Sequence, residues 1–230
     1  MYPDDLDDPP KRDSGFRLHA VGGLANRLRA ILSYRAHYGP LTVVWEPDEY
    51  VSYGRWADVF EPIDGVTFED RGAWHIEAYA PHPSAKDGWL KAYGELVPKI
   101  GNLDPSPLAI HIRRTDHVPM LKELGRLPQR LDEWRDWTSA RSGSVWIACD
   151  NGETQRAMMQ YLGDRARLYE LLPGKEEQGL VDHHRNGSLK HAVVDLYMCA
   201  AADEFRGTRD SSFSDTIDVL RSLRHARPSL

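Results

Sequence analysis

Two adjacent arginines, Arg113 and Arg114, close an apolar run, Ala109-Ile110-His111-Ile112, and are followed by Thr115 and Asp116. In an open α/β sheet, ligands bind at the carboxyl ends of the strands. A guanidinium grips phosphate oxygens through parallel hydrogen bonds. The pair therefore suits a diphosphate. A strand-end salt-bridge cluster, with Asp116 pairing an arginine, explains the same octet equally well.

Three further segments bear on the choice. Gly22-Gly23-Leu24-Ala25-Asn26-Arg27-Leu28-Arg29 lies between a strand and a helix, where small residues let the backbone approach a ligand and helical N–H groups face an anion. It is not the G-x-G-x-x-G fingerprint, which disfavours a nicotinamide dinucleotide. Cys149-Asp150-Asn151 ends another apolar strand. Its Asp either accepts from a ribose hydroxyl or a base nitrogen, or caps the helix starting near Glu153. Gly207-Thr208-Arg209-Asp210-Ser211-Ser212-Phe213-Ser214 precedes the last helix. Its hydroxyls and N–H groups can hold phosphates, and Asp210 or Ser211 can cap the helix. No metal-ligand spacing is found; His183-His184 reads as a solvated loop. No G-x-S-x-G elbow of a serine hydrolase occurs.

Strands over 16–21 and 41–45 flank a helix over 24–37 on which Leu24, Leu28, Ile31 and Leu32 share a face. That is a parallel βαβ unit. A short helix over 56–60, a strand over 65–69 and a helix over 85–100 are expected next. The segment 101–107, with its glycine and prolines, reads as a linker. Alternation then resumes: strands over 108–112, 144–149, 166–170 and 204–207, and helices over 131–141, 153–162, 189–202 and 211–223. Two Rossmann-like halves facing across a cleft are implied. Residues 1–14, acidic and proline-rich, read as a disordered tail. The net charge of −6 disfavours a nucleic-acid partner. No apolar run reaches the roughly 20 residues that span a bilayer, so no membrane partner is expected. The two cysteines, Cys149 and Cys199, sit in apolar segments and fit a reducing, cytoplasmic compartment. Trp56, Trp74 and Trp89 are core residues by default, or platforms for a sugar ring.

Taken together, the four segments resemble the fucosyltransferase superfamily of α-1,6-fucosyltransferases, bacterial nodulation fucosyltransferases and protein O-fucosyltransferases. The resemblance lies in Gly22-Gly23-Leu24-Ala25-Asn26-Arg27-Leu28, His111-Ile112-Arg113-Arg114-Thr115-Asp116, Ala148-Cys149-Asp150-Asn151, and Asp195-Leu196 followed by Gly207 to Ser214. It covers about 16–222. Cys149 stands where the family has Thr, and Asn151 where it has a second Asp. The resemblance implies an α/β, GT-B-like fold of two facing Rossmann-like domains with mainly parallel sheets. An acceptor-side domain would occupy 15–102 and a nucleotide-sugar-binding domain 103–230. It also implies an inverting, metal-independent transferase, with a GDP-sugar, usually GDP-fucose, as donor and a glycan or other hydroxyl as acceptor. No cofactor is expected. Arg113 would neutralise the departing diphosphate and Arg114 would assist or pin the loop. His111 with Asp150 or Asn151 would address the guanosine. Ser211 and Ser212, beside Phe213, would hold phosphate oxygens. Gly22, Gly23, Asn26 and Arg27 would approach the donor from the other domain. Asp116 or Glu123 would serve as acceptor base. The alternatives are a non-catalytic nucleotide-sugar-binding module, or a transferase using another nucleotide sugar.

Overall fold

Alternating strands and helices build two separate four-stranded sheets in the computed structural model, which describes residues 15–46, 54–85, 87–101, 104–115, 117–169 and 188–226. The expected tail over 1–14, Asp116 and the His183-His184 pair lie outside the described residues. The first sheet holds β1 (Phe16–Ala20), β2 (Leu41–Val44), β3 (Val66–Glu69) and β4 (Ile76–Ala78) in the order β3-β2-β1-β4. The second holds β5 (Leu108–Ile112), β6 (Val145–Cys149), β7 (Ala166–Arg167) and β8 (Glu204–Arg206) in the order β7-β6-β5-β8. Every pairing is parallel. The helices are α1 (Leu24–Tyr38), α2 (Trp56–Val59), α3 (His117–Glu123), α4 (Leu131–Ser139), α5 (Gly152–Leu162), α6 (Leu189–Ala201) and α7 (Ser212–Ala226).

Every residue of β5 and β6 is buried, because helices cover both faces of the second sheet. Leu108, Ile110 and Ile112 join Val145, Ile147 and Cys149 against Trp134, Met158 and Leu162. Ala109, Trp146 and Ala148 face the other way, into a cluster with Val193, Val194 and Leu196 of α6. The first sheet is different. Leu18, Ala20 and Val43 point into the core with α1, while Arg17 and His19 alternate to the opposite face. No described helix covers that face; the β3–β4 crossover does so instead. Arg17 donates to Ala73 O and pairs with Glu69, and the Trp74 ring lies 5.6 Å from that of His19.

The helix expected over 85–100 is a 3-10 helix over Asp87–Glu95, shortened by the tolerance of Gly88 and Gly94 for tighter turns and stopped before Pro98. The segment after Thr115, to which the sequence pattern assigns no element, contains α3, whose Pro119 sits in the first turn, where a missing N–H costs no helical bond. The chain between 101 and 107 is irregular where it is described. No described helix is long and apolar enough to cross a membrane.

Candidate functional site

The carboxyl end of β5 is locked to the segment after β8. Thr208 Oγ1 donates to His111 O at 2.8 Å and accepts from Arg113 N at 2.9 Å. Thr208 N donates to Ser214 Oγ at 2.9 Å, and Ser214 Oγ meets His111 Nδ1 at 2.8 Å. Phe213 stands against the His111 ring, centroids 4.7 Å apart. The chain passes so close here that a Cβ on Gly207 would fall 2.7 Å from that of Ser214, closer than real carbons approach. Glycine is therefore what lets α7 start against β8.

The neighbouring arginines have separate surroundings. Arg114 is tied into the scaffold: its backbone N donates to Asp150 Oδ1 at 2.8 Å, its Nη1 donates to Gln129 O at 2.8 Å, and its guanidinium lies 5.6 Å from the Trp134 ring. Asp150 Oδ2 accepts from Thr115 Oγ1 at 2.7 Å, so both carboxylate oxygens hold the arginine loop. Asn151, not Asp150, caps α5, accepting from Thr154 N at 2.8 Å. Gln129 Oε1 accepts from Arg209 N at 2.6 Å, and His117 Nε2 stands 3.0 Å from Arg209 O. Arg113 is partly exposed at the strand end, its backbone fixed by Thr208.

At the start of α7 the expected cap is not made. Asp210 takes a left-handed φ of 56° and its carboxylate pairs with Arg126 at 3.2 Å. Ser211 is only 1% exposed, and its Oγ finds no hydrogen-bond partner among the described residues. A buried hydroxyl left this way costs free energy unless something outside the chain satisfies it. Ser212 is half-buried next to it.

In the first half, Gly22 takes φ 80° and Gly23 directly precedes α1, whose first turn has neither an acidic residue nor a side-chain cap. Arg27 is buried, donating from Nε to Gly22 O at 2.8 Å and from Nη1 to Glu46 O at 2.9 Å, with its guanidinium 4.6 Å from the Trp45 ring. It shapes the glycine loop from beneath. Asn26 lies against Gly22. Glu123 is exposed at the last position of α3. Of the three tryptophans considered as sugar platforms, Trp56 and Trp89 are buried and Trp74 is 45% exposed.

Thr208, Ser214 and Gln129 escape sequence reasoning as clamp residues, although Thr208 and Ser214 fall in a flagged segment. Asp195 carries a signal only through the resemblance. On α6 it accepts from Trp146 Nε1 at 3.0 Å, and burial pushes its carboxyl up to about 8. Burial also pushes the free thiols of Cys149 and Cys199 up, away from nucleophilic use. Among the described residues no His, Cys, Asp and Glu group could hold a metal ion.

No protein-family model matches the sequence, and no curated protein matches it. Solved structures do match in fold. NodZ alpha-1,6-fucosyltransferase soaked with GDP-fucose superposes with a TM-score of 0.54 at 14% identity, over 90% of this chain and 92% of that one. NodZ co-crystallised with GDP gives 0.53 at 13%, with the same coverage. The fucosyltransferase NodZ from Bradyrhizobium gives 0.56 at 13%, again over 90% and 92%. The two parallel sheets with their interleaved helices thus form the GT-B architecture of these fucosyltransferases.

Proposed function

We propose that the chain is a metal-independent glycosyltransferase that moves a sugar, fucose by best fit, from a GDP-sugar to an acceptor hydroxyl. The observation that carries this reading is the buried Ser211 Oγ, unpartnered among the described residues, at the start of α7 and three residues after Thr208, whose hydroxyl joins His111 and Arg113 at the end of β5. A phosphate oxygen there would satisfy the hydroxyl and meet the N-terminal end of a 15-residue helix. Arg113, on the adjacent strand end, would neutralise the charge that builds on the departing diphosphate, the work a metal ion would otherwise do. Arg114, Asp150 and Thr115 would hold Arg113 in place rather than touch the donor. Asn151 would serve the fold through its cap. The guanosine and fucose assignments draw on the motif resemblance and on the GDP-fucose and GDP with which the NodZ fold neighbours were soaked or co-crystallised. In this reading 103–230 takes the donor and 15–102 the acceptor.

Thermal denaturation with GDP, UDP, ADP or CMP, without added metal, tests the donor. GDP at 100 times its dissociation constant should add about 2.7 kcal/mol to stability, and the others little. Arg113→Ala should keep the wild-type melting temperature and lose about 100- to 1,000-fold in GDP-fucose turnover. Stabilisation by no nucleotide, or near-normal turnover in the variant, would sink the assignment.

A further inference from the structure

We propose that His19, set between Glu77 and Glu46 at the carboxyl end of the first sheet, takes the proton from the hydroxyl that attacks the donor sugar. This rests on the transferase reading above. Both sheets have the same strand order, and each has one point where the order reverses: between β1 and β4 in the first, between β5 and β8 in the second. Open parallel sheets bind ligands at such points. The second crevice is where Thr208 holds Arg113, with Ser211 three residues further along the chain. The first is straddled by His19 on β1 and its direct neighbour Glu77 on β4. His19 is the fourth residue of β1, as His111 is of β5, so the two imidazoles occupy equivalent places in the two sheets.

Their surroundings differ. His111 Nδ1 meets Ser214 Oγ, whereas the buried Nδ1 of His19 has no aligned hydrogen-bond partner among the described residues. Its ring nitrogens face carboxylates instead: Nδ1 is 3.2 Å from Glu77 Oε2 and Nε2 is 3.8 Å from Glu46 Oε2. Other histidines are spent on the fold. His75 and His82 accept backbone N–H groups at Nδ1, His117 meets a backbone carbonyl, and His191 meets Ser188. Arg17, the cation nearest along β1 on the same face, is committed to Glu69. The His19 side chain is 12% exposed while Glu46 and Glu77 are about half exposed, so the imidazole is sheltered but reachable. Trp74 offers an exposed ring beside it. Buried Arg27 binds both Gly22 O and Glu46 O, coupling this group to the glycine loop.

The acceptor hydroxyl gives its proton to His19 Nε2, and its oxygen bonds to the anomeric carbon. The bond from that carbon to the phosphate oxygen breaks, and its electron pair leaves with GDP against the charge of Arg113. Glu77 is a positioning residue: it orients the imidazole and steadies the cation formed. The proton then leaves to solvent past Glu46.

Water can replace the acceptor, so release of fucose from GDP-fucose is the assay, run beside the GDP thermal shift. His19→Ala and His19→Gln should keep the GDP shift and lose about 100-fold in hydrolysis, with partial rescue of the alanine variant by added imidazole. Glu77→Gln should lower kcat about 10-fold at unchanged KM for GDP-fucose. Wild-type hydrolysis in both His19 variants, a loss that imidazole does not rescue, or a wild-type chain that binds GDP but releases no fucose overturns the proposal and leaves donor binding standing. A wild-type chain that does not bind GDP overturns both.

Discussion

Arg113 and Arg114 are consecutive in sequence and unlike in environment. Arg114 is built into the loop through Gln129 and Asp150, while the backbone of Arg113 is fixed by a residue 95 positions away. The residue types that could meet a phosphate were legible in the sequence: the arginine pair, the serines before the last helix, the glycine loop. The clamp around them was not, because Thr208 and Ser214 reach His111 only once β8 lies beside β5, a long-range pairing that no local pattern encodes. Asp150 shows the same limit. Its position at a strand end was readable, but not that both its oxygens would be taken by the loop it faces. Ser211 gives the sharpest single-residue expectation. Its hydroxyl has no partner among the described residues to lose, so Ser211→Ala should leave the ligand-free protein within about 0.5 kcal/mol of wild type, or slightly more stable. GDP affinity should fall about fivefold, the value of roughly 1 kcal/mol from one hydrogen bond. Melting curves with and without GDP read both numbers. A large ligand-free destabilisation would mean the hydroxyl supports the fold, and unchanged GDP affinity would remove it from the phosphate site.

Legibility of an element depends on how much of its stability is its own. β5 and β6 were plain, because a strand covered on both faces must be apolar throughout. α1 and α6 were plain from their apolar stripes. β4 was invisible: it has three residues, one of them Glu77, and exists through its pairing with β1. The packing of α6 onto β6 brings a further expectation. There the Asp195 carboxyl, under burial and with the Trp146 N–H opposing the shift, rises from 3.8 to about 8. The folded chain thus keeps a proton that the unfolded chain gives up near its ordinary value. This contribution to stability is whole below about pH 4 and is lost as pH rises through about 8, with a slope of at most about 1.4 kcal/mol per pH unit. Asp195→Asn keeps an acceptor for Trp146 and removes the proton. Its melting temperature should therefore gain on wild type steadily between about pH 5 and pH 8. Parallel curves for the two proteins would show that the carboxyl ionises freely in the folded state.

At the scale of the molecule, one strand order occurs twice although the chain shows no sequence repeat. Topology asks only for apolar strands and a crossover of adequate length, which many sequences supply. The first half departs from the second by crossing from β3 to β4 without a helix, and this leaves the face bearing Arg17 and His19 polar and partly open. The halves are nevertheless not independent. A single apolar cluster runs from Leu18, Leu28 and Val43 of the first sheet and α1 through Leu189, Val193 and Leu196 of α6 to Ala109 and Trp146 of the second sheet. Phe60 meets the Tyr197 ring at 6.2 Å, and Tyr197 Oη donates to Leu96 O at 3.4 Å. Unfolding the first half would strip α6 and α7 of one side of their packing and leave the second sheet only the smaller cluster of Trp134, Met158 and Leu162 on its other face. Calorimetry should therefore give one transition, with van't Hoff and calorimetric enthalpies equal. Saturating GDP should move that transition whole, even though the proposed nucleotide site lies in the second half alone. Two resolved peaks, with GDP raising only one, would show that the shared cluster does not couple the halves and that they melt as separate domains.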